Sequence, residues 1–480
     1  MTLKKLWMLT AILTISGTND VCAQLQRTPD FHDKYTLSEV VVLSRHNIRS
    51  PLSGPDSELG RMTSHEWFSW SSAPSELSLR GGVLETMMGQ YFRKWLVSER
   101  LITENEQPAE GAVRFYANSK QRTIATAQYF SSGMFPVANV SIEYHCKLGE
   151  TDPVFTPRIT AFSDNYIQRV LQQIADLFGG GTMEGVGQKM TENFALVADV
   201  IDLHETPAYQ NGDITDFNTE DTQIILEQDA EPKMTGGLNT AGNIADALML
   251  QYYEEPDELK AAFGHHLTFE DWQRIAAVKS WYGDVLNTAP LLAINTAHPL
   301  LQEILSELQY DGRRFSFLCG HDVNIGTVLA ALGVEDYTLP EAIETRTPIG
   351  SKLVMEKWLG KDGREYIAVN LCYQSVYQLR HMSLLSLQNP PMVYVLHFEG
   401  MTANADGLYL YDDFVNHMTE RISAYDNLTE ATAISSPFNS RPLRGSEEHV
   451  QGTSYYINGT PATLEIRDIV IQDGEKTFIK

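Results

Sequence analysis

Short apolar runs, many of them rich in β-branched residues, recur between polar segments along this chain. They predict buried strands at 39–43, 113–116, 314–318, 352–358, 366–371 and 393–397. Apolar positions at helical spacing follow several of these runs, at 82–98, 120–130 and 324–332. Because strand and helix alternate, we expect an α/β sandwich built around a largely parallel sheet.

The middle of the chain has a different pattern. Between residues 161 and 308 the apolar positions recur almost wholly at helical spacing, as in DNYIQRVLQQIADLF and AGNIADALMLQYYEE. We expect a mainly α-helical domain at 161–308, inserted into an α/β core made of residues 24–160 and 309–422. The segment 423–480 is first loop-like and then predicts two or three short strands, a C-terminal β extension.

The first residues have the pattern of an export signal. Two lysines precede an apolar run at 6–15, and Val21-Cys22-Ala23 has the small-residue spacing of a cleavage site. We interpret residues 1–23 as a signal peptide, which predicts an exported protein, periplasmic first and extracellular second. The run is shorter than the roughly 20 residues of a transmembrane helix, and no later segment is longer, so no membrane span is expected.

Composition and charge narrow the class of protein. With 480 residues and 43% hydrophobic content, the chain can bury a large core in two or three domains. A net charge of −26 excludes nucleic acid as a partner, because binding a phosphate backbone requires a positive face. Any phosphate-bearing ligand is therefore a small molecule held in a local cationic pocket.

The cysteines point to no redox or metal chemistry. Signal cleavage leaves Cys146, Cys319 and Cys372, which are too scattered for a disulfide framework or a metal-ligand cluster. One pair can bridge, but Cys319 and Cys372 lie in apolar strand-like runs, where buried free thiols are at least as well supported.

The first candidate site lies where the run 39–43 ends, at Arg45-His46-Asn47-Ile48-Arg49-Ser50-Pro51. In open α/β sheets, ligands bind beyond the carboxyl ends of strands. Arg45 and Arg49 are suited to grip a phosphate dianion, and a neutral His46 is suited to attack phosphorus and form a phosphohistidine. A surface turn with incidental charges is the alternative for this motif alone.

A second segment repeats this arrangement. The run 314–318 leads through Gly320 to His321-Asp322 and then to the predicted helix 324–332. His321 is placed to donate to the same phosphate, and Asp322 to protonate a leaving oxygen and then activate water. For this segment alone, a structural role of Asp322 as a helix N-cap is equally well supported.

A third segment, YANSKQRTIATAQYF, carries Arg122 in the first turn of a predicted helix. An arginine is unfavourable there unless an anion lies nearby, because the helix dipole is positive at that end. The three segments together predict a phosphoryl-transfer site that needs no metal, with His46 and Asp322 on opposite sides of the phosphate. Its predicted phosphate ligands are Arg45, Arg49, Arg122 and His321.

The pairing of R-H-x-x-R-x-P with H-D resembles the histidine acid phosphatases, over about residues 35 to 422. The resemblance implies a phosphoglycerate-mutase-like three-layer α/β sandwich with a helical second domain, and no cofactor. It also implies His46 as nucleophile, Asp322 as proton donor, and the three arginines with His321 as phosphate ligands.

Finer details resemble the branch of this family that acts on sugar phosphates. They are SRHNIRSPL, YANSKQRTIATAQ, RTPIG and LQYYE. Most relatives carry glycine where this chain has Asn47, and Asn47 favours that branch. The resemblance also points to Glu231 in EPKMTGG, since a glutamate at this position contacts the sugar in that branch, although an ordinary solvated glutamate is equally supported. Asp152-Pro153 matches a family segment near the site, without an assigned role.

Three functions follow as hypotheses. The first is a phosphomonoesterase acting on small sugar phosphates, with glucose 1-phosphate as the leading substrate. The second is a phosphatase of phytate or other inositol polyphosphates. The loop after Pro51 holds one cation, Arg61, beside three acids, and so favours a substrate of low charge. The third is a non-catalytic phosphosugar-binding protein, which would require neither His46 nor Asp322.

Overall fold

The computed structural model describes residues 27–54, 57–430, 469–472 and 475–478. The predicted signal peptide, residues 1–23, lies outside these ranges, as do residues 431–468. The strands are β1 Tyr35–Arg45, β2 Val113–Ala117, β3 Gln223–Ile225, β4 Lys233–Thr235, β5 Phe315–Gly320, β6 Lys352–Gly360, β7 Glu365–Tyr373, β8 Met392–Val395, β9 Tyr409–Leu410, β10 Ile469–Gln472 and β11 Glu475–Phe478.

The helices surround these strands along the chain. They are α1 Phe31–Lys34, α2 Glu58–Arg61, α3 Leu79–Ser98, α4 Gln121–Met134, α5 Asp164–Phe178, α6 Glu184–Gln188, α7 Thr191–Val200, α8 Pro207–Gln210, α9 Gly237–Glu254, α10 Glu258–Ala261, α11 Phe269–Asn287, α12 Pro290–Leu308, α13 Asp322–Leu332, α14 Val376–His381 and α15 Tyr411–Ser423. Two 3-10 turns lie at Leu203–Glu205 and Ala424–Asn427.

The main sheet has the order β2-β5-β1-β6-β7-β8, and β9 pairs with β7. All six predicted strands lie in it. Only β2, β5 and β1 pair in parallel, whereas β6, β7, β8 and β9 pair antiparallel. The expectation of a largely parallel sheet is therefore wrong, because four of the six strand pairings in this sheet are antiparallel. A tight turn joins β6 to β7, with Gly363 at φ +79°, so no crossover helix separates the two strands.

The two faces of the sheet are covered by different helices. Along β1, Val40 and Val42 belong to one buried cluster with residues of α3 and α4, and Val41 and Leu43 to a second cluster with residues of α12 and α13. Successive side chains of a strand point to opposite faces, so this division shows three layers, helix–sheet–helix. The predicted α/β sandwich is confirmed.

Helices α3 and α4 approach closely because glycines face the opposing backbone. A Cβ added to Gly89 would lie 2.1 Å from the carbonyl oxygen of Phe130, and one added to Gly133 would lie 2.2 Å from that of Thr86. Neither position has room for a larger residue. This close contact fixes α4, whose first turn carries Arg122, against the rest of the core.

The segment from α5 to α12 is mainly helical, as predicted, with one exception. The strands β3 and β4 form a short antiparallel hairpin within it. Helices α9 and α11 pack against each other, and Tyr252 stacks on Trp272 with ring centroids 4.1 Å apart. The proposed domain bounds of 161 and 308 stay a prediction.

β10 and β11 pair as an antiparallel hairpin within the predicted C-terminal extension. Cys146, Cys319 and Cys372 are free, and the latter two are buried, in β5 and β7. Within the described ranges, every helix is too short or too polar to cross a membrane.

Candidate active site

The three predicted segments meet at one edge of the sheet. Arg45 at the end of β1 pairs with Gly320, and Ala117 at the end of β2 pairs with Cys319. The backbone N–H of His46 donates to the carbonyl of Gly320 at 3.0 Å. Because β2, β5 and β1 are parallel neighbours, their carboxyl ends bring the candidate side chains together beyond the sheet.

The two arginines of the first motif are almost completely buried, and each pairs with a buried acid. The Arg45 guanidinium donates to Glu344, which follows α13, and Arg49 Nη2 donates to Asp246 of α9 at 2.9 Å. Buried charges require partners of opposite sign. Neither acid was among the residues predicted from the sequence.

The His46 ring is held in one state. Its Nδ1 lies 2.8 Å from the carbonyl oxygen of Asn47, so Nδ1–H donates and the lone pair remains on Nε2. Burial lowers the pKa of His46 well below its ordinary value, and the charge of Arg122 and the neighbouring His321 lower it further. Burial and the nearby charge therefore favour the neutral form of the ring.

His321 is oriented by Asn118, a residue the sequence analysis did not single out. Asn118 Oδ1 accepts from the backbone N–H of Asp152 at 3.4 Å, so Nδ2 faces His321 and donates to its Nε2 at 2.8 Å. The proton of a neutral His321 is thus on Nδ1. Asp152 is itself fixed, since it accepts from Tyr116 Oη at 2.9 Å. This gives Asp152 an orienting role.

The Nδ1 proton of His321 and the guanidinium of Arg122 lie close together, where both can donate to one bound anion. Arg122 Nη2 lies 3.4 Å from His321 Nδ1, and the ring centroids of His46 and His321 are 5.4 Å apart. Burial, followed by the charge of Arg122, lowers the pKa of His321 well below its ordinary value. Burial also lowers the pKa of Arg122 to about 10, with Arg49 contributing.

The arginines retain unpaired donors. Among the described residues, the buried Nε atoms of Arg45, Arg49 and Arg122 have no hydrogen-bond partner. Buried donors in folded proteins are nearly always satisfied. Three such donors, on guanidinium groups gathered at one sheet edge, favour an anion as their partner.

Asp322 is the first residue of α13, and its side chain is about one third exposed. His321 is the N-cap of this helix, so the structural alternative that made Asp322 the N-cap is wrong. Asp322 Oδ2 lies 3.8 Å from Arg45 Nη2 and 3.8 Å from Lys279 Nζ. Removal from water raises the pKa of Asp322, but Lys279 and then Arg45 oppose this, and the pKa falls below its ordinary value.

The exposed side of Asp322 faces a cavity of about 720 Å³. Its lining includes Arg45, Asp322, Glu231, Lys279 and Asp284. The predicted substrate residue Glu231 therefore lies in the same cavity as the candidate proton donor. Burial raises the pKa of Asp284 to about 6.

Some of the missed residues left a signal in the sequence. Asn118 is a polar residue directly after a buried strand, as His46 is, and it lies in the same segment as Arg122, YANSKQRTIATAQYF. Asp246 is a lone acid in the apolar run AGNIADALML, which is typical of a buried partner for a cation. Lys279 gives no such local signal.

Comparisons with known proteins show the family to which this chain belongs. A family model described as "Histidine phosphatase superfamily (branch 2)" matches residues 36–373. The glucose-1-phosphatase of Salmonella typhimurium is 34% identical over 401 residues, covering 82% of this chain and 94% of that protein. The glucose-1-phosphatase of Providencia rettgeri is 32% identical over 392 residues, covering 80% of this chain and 92% of that protein.

A solved structure shows the same fold. The apo form of the Hafnia alvei phytase has a TM-score of 0.73 and 25% sequence identity, covering 81% of this chain and 97% of that chain. The fold class predicted from the sequence is confirmed. The family match and the two glucose-1-phosphatase relatives show that this chain is a phosphatase of the histidine phosphatase superfamily, branch 2, as its motifs predicted.

Proposed function

We propose that this protein is an acid phosphomonoesterase that hydrolyses small sugar phosphates through a phosphohistidine at Nε2 of His46. The observation that carries the proposal is the state of the His46 ring. Its Nδ1–H is engaged by a backbone carbonyl, and burial with nearby positive charge keeps it neutral. A neutral imidazole with one free lone pair is suited to act as a nucleophile.

Binding of the phosphoryl group comes first in this scheme. Arg45, Arg49 and Arg122 supply positive charge, and His321 donates from Nδ1. Charge-assisted hydrogen bonds from guanidinium groups match the geometry of phosphate oxygens. They also stabilise the negative charge that these oxygens carry in the transition state, so no metal is needed for that purpose.

In the first chemical step, Nε2 of His46 forms a bond to phosphorus while the bond from phosphorus to the sugar oxygen breaks. Asp322 gives its proton to the leaving oxygen. The bound phosphate adds negative charge beside the Asp322 carboxyl and so favours its protonated form. In mildly acidic solution the phosphate ester can bind as its monoanion, and this monoanion can transfer its proton to the Asp322 carboxylate.

In the second step, the Asp322 carboxylate takes a proton from water, and the oxygen of that water attacks phosphorus. The nitrogen–phosphorus bond breaks, and the electron pair returns to Nε2 of His46. Inorganic phosphate is released. The scheme requires an unprotonated His46 and a protonated Asp322 at the start, which suits acidic conditions.

The leaving group occupies the cavity beside Asp322, and its chemistry supports a sugar. Glu231 and Asp284 line this cavity, and carboxylates accept hydrogen bonds from sugar hydroxyls. Glucose 1-phosphate is the leading substrate, which the names of the two glucose-1-phosphatase relatives support.

Phytate is the alternative substrate, and it has its own support. The phytase AppA of Escherichia coli is 26% identical over 401 residues, and the Hafnia alvei enzyme shares the fold. The acids in the cavity and in the loop after Pro51 oppose a substrate with several phosphates. A non-catalytic binding role is less well supported, because binding requires neither a neutral His46 nor Asp322. Export, expected from residues 1–23, is part of the proposal.

The test is steady-state hydrolysis of glucose 1-phosphate and of phytate by the wild-type protein and by His46→Ala. We expect a higher kcat/KM for glucose 1-phosphate. We also expect the alanine variant to lose about 10⁴-fold or more in kcat, as removal of a nucleophile does. His204→Ala, at an exposed histidine paired with Asp216, is the matched control and retains activity.

Several outcomes contradict the proposal. Equal activity of wild type and His46→Ala removes the nucleophile assignment. Loss of activity in EDTA, or undiminished activity far above neutral pH, is incompatible with the scheme. A higher kcat/KM for phytate than for glucose 1-phosphate would contradict the sugar-phosphate assignment and would identify phytate as the preferred substrate of the same reaction.

A further inference from the structure

Behind the candidate nucleophile lies a buried polar network that the mechanism above does not use. It consists of Asn47, Glu85 and Lys352, which we call the Asn47–Glu85–Lys352 network. Asn47 Nδ2 donates to Glu85 Oε1 at 2.8 Å, and Lys352 Nζ donates to the same oxygen at 3.0 Å. The three residues are at most 1% exposed. Burying an ion pair costs desolvation free energy, so we expect this pair to have a specific role in the structure.

The Asn47 side chain also grips the peptide that orients His46. Asn47 Oδ1 accepts from the backbone N–H of Ile48 at 2.8 Å. That N–H belongs to the same peptide group as the Asn47 carbonyl, which accepts from Nδ1–H of His46 at 2.8 Å. Because a peptide group is planar, fixing its N–H also fixes the direction of its carbonyl.

The network reaches His46 from a second direction. Lys352 Nζ donates to the carbonyl of Gly350 at 2.8 Å, and the backbone N–H of Gly350 donates to the carbonyl of His46 at 3.1 Å. Gly350 has φ +68°, and a Cβ there would lie 2.5 Å from Asn47 Nδ2. The Asn47 amide therefore fits only against a glycine at this position.

We propose that the Asn47 side chain, anchored by the buried pair of Glu85 and Lys352, is a positioning group for the candidate nucleophile. It holds the peptide between Asn47 and Ile48 so that the proton stays on Nδ1 of His46. Nε2 then faces the phosphate with its lone pair free. This inference rests on the proposed function, in which Nε2 attacks phosphorus.

The first variant is Asn47→Ala, which removes the hold on the Ile48 N–H and leaves Glu85 paired with Lys352. We expect kcat for glucose 1-phosphate to fall on the order of 10- to 100-fold, as when an orienting hydrogen bond is lost. Inhibition by inorganic phosphate should change less than about 3-fold, because the arginine ligands remain in place. A loss confined to KM would contradict the proposal.

Asn370→Ala is the matched control. Asn370 is also buried and also donates to a buried glutamate, Glu356, at 2.7 Å. It lies in β7, which is separated from β1 by β6. Both alanine variants should lower the thermal midpoint, but only Asn47→Ala should lower kcat. Equal effects on kcat would reduce Asn47 to a structural role.

A spectroscopic readout separates this inference from the proposed function. In ¹⁵N-histidine-labelled protein with inorganic phosphate bound, the two ring nitrogens report which one carries the proton. The wild type should show His46 protonated on Nδ1 only, and Asn47→Ala a mixture of tautomers. An unchanged tautomer with unchanged kcat overturns the inference, whereas an active His46→Ala overturns the proposed function instead.

Asn47→Asp is a second variant that keeps the shape. When protonated, an aspartic acid can accept from the Ile48 N–H and donate to Glu85, as the amide does. When ionised, it faces the Glu85 carboxylate and cannot donate. We expect activity near that of the wild type in acid and a loss relative to wild type as the pH rises. A constant activity ratio across pH would contradict the proposal.

Discussion

The two sides of the phosphate site are built differently. On the nucleophile side, His46 and the network behind it are buried, and the contacts come from α3, β6 and the segment that directly follows β1. On the leaving-group side, Asp322 is about one third exposed and faces a cavity of about 720 Å³ lined in part by α11. The nucleophile side holds its groups in fixed positions, whereas the cavity on the leaving-group side determines which substrates can bind.

The charge balance of the two sides differs in the same way. The buried Glu85 and Lys352 pair with each other, at a fixed distance and away from water. Asp322 instead lies 3.8 Å from both Arg45 and Lys279, without a close ion pair. Its protonation therefore responds to changes nearby, including the arrival of a phosphate.

The largest expected effect is that of Asp322→Asn, a substitution on the leaving-group side. We expect the single-turnover release of glucose from glucose 1-phosphate to slow by about 10²- to 10⁴-fold, because the poor leaving oxygen loses its proton donor. Release of p-nitrophenolate from p-nitrophenyl phosphate should slow much less, since that group leaves without a proton. Equal slowing for both esters would contradict the role of Asp322 as an acid.

A smaller effect is expected from Asn118→Ala, which frees His321 Nε2. Without the Asn118 donor, the His321 proton is no longer confined to Nδ1, and the hydrogen bond to phosphate is weakened. A hydrogen bond to a charged group contributes about 1.5–3 kcal/mol, so we expect kcat/KM to fall roughly 10- to 100-fold. Asn389→Ala, at an exposed asparagine that donates to a backbone carbonyl, is the control. An unchanged kcat/KM in Asn118→Ala would rule out the orienting role.

The smallest effect is a shift in pH dependence on replacing Lys279 with methionine. Lys279 is the first of the cations that hold the pKa of Asp322 below its ordinary value. Removing this positive charge raises the pKa of Asp322, so the protonated acid persists to higher pH. The alkaline limb of the kcat profile, which reports groups of the enzyme–substrate complex, should therefore move to higher pH. Lys260→Met, at an exposed lysine, should leave it in place, and a shift of Lys279→Met to lower pH would contradict the charge assignment.

The sequence predicted the nucleophile side better than its surroundings. Arg45 is the last residue of a buried strand, and His46 and His321 directly follow one, a signal that is local in the chain. Asp246 reaches Arg49 across 197 positions, and Lys279 reaches Asp322 from another helix. Such pairs depend on how the helices pack, which periodicity does not encode.

In the main sheet, the positions of the strands were also predicted better than the direction in which they pair. Apolar runs located six of the seven strands of the main sheet, and only the two-residue strand β9 was not predicted. The direction of pairing was not predicted, since β6 and β7 are as apolar as the parallel strands β1 and β5. The short turn at Gly363 was the available signal for an antiparallel pair.

The central claim is that phosphate is transferred to Nε2 of His46. The most direct test is to mix Asp322→Asn with p-nitrophenyl phosphate, quench within the first turnover, and locate the phosphate by mass spectrometry and NMR. Because this variant lacks the base that activates water, the phosphoenzyme should accumulate, with phosphate on Nε2 of His46. Phosphate on Nδ1 or on another residue, or release of p-nitrophenolate with no phosphorylated protein, would contradict the account.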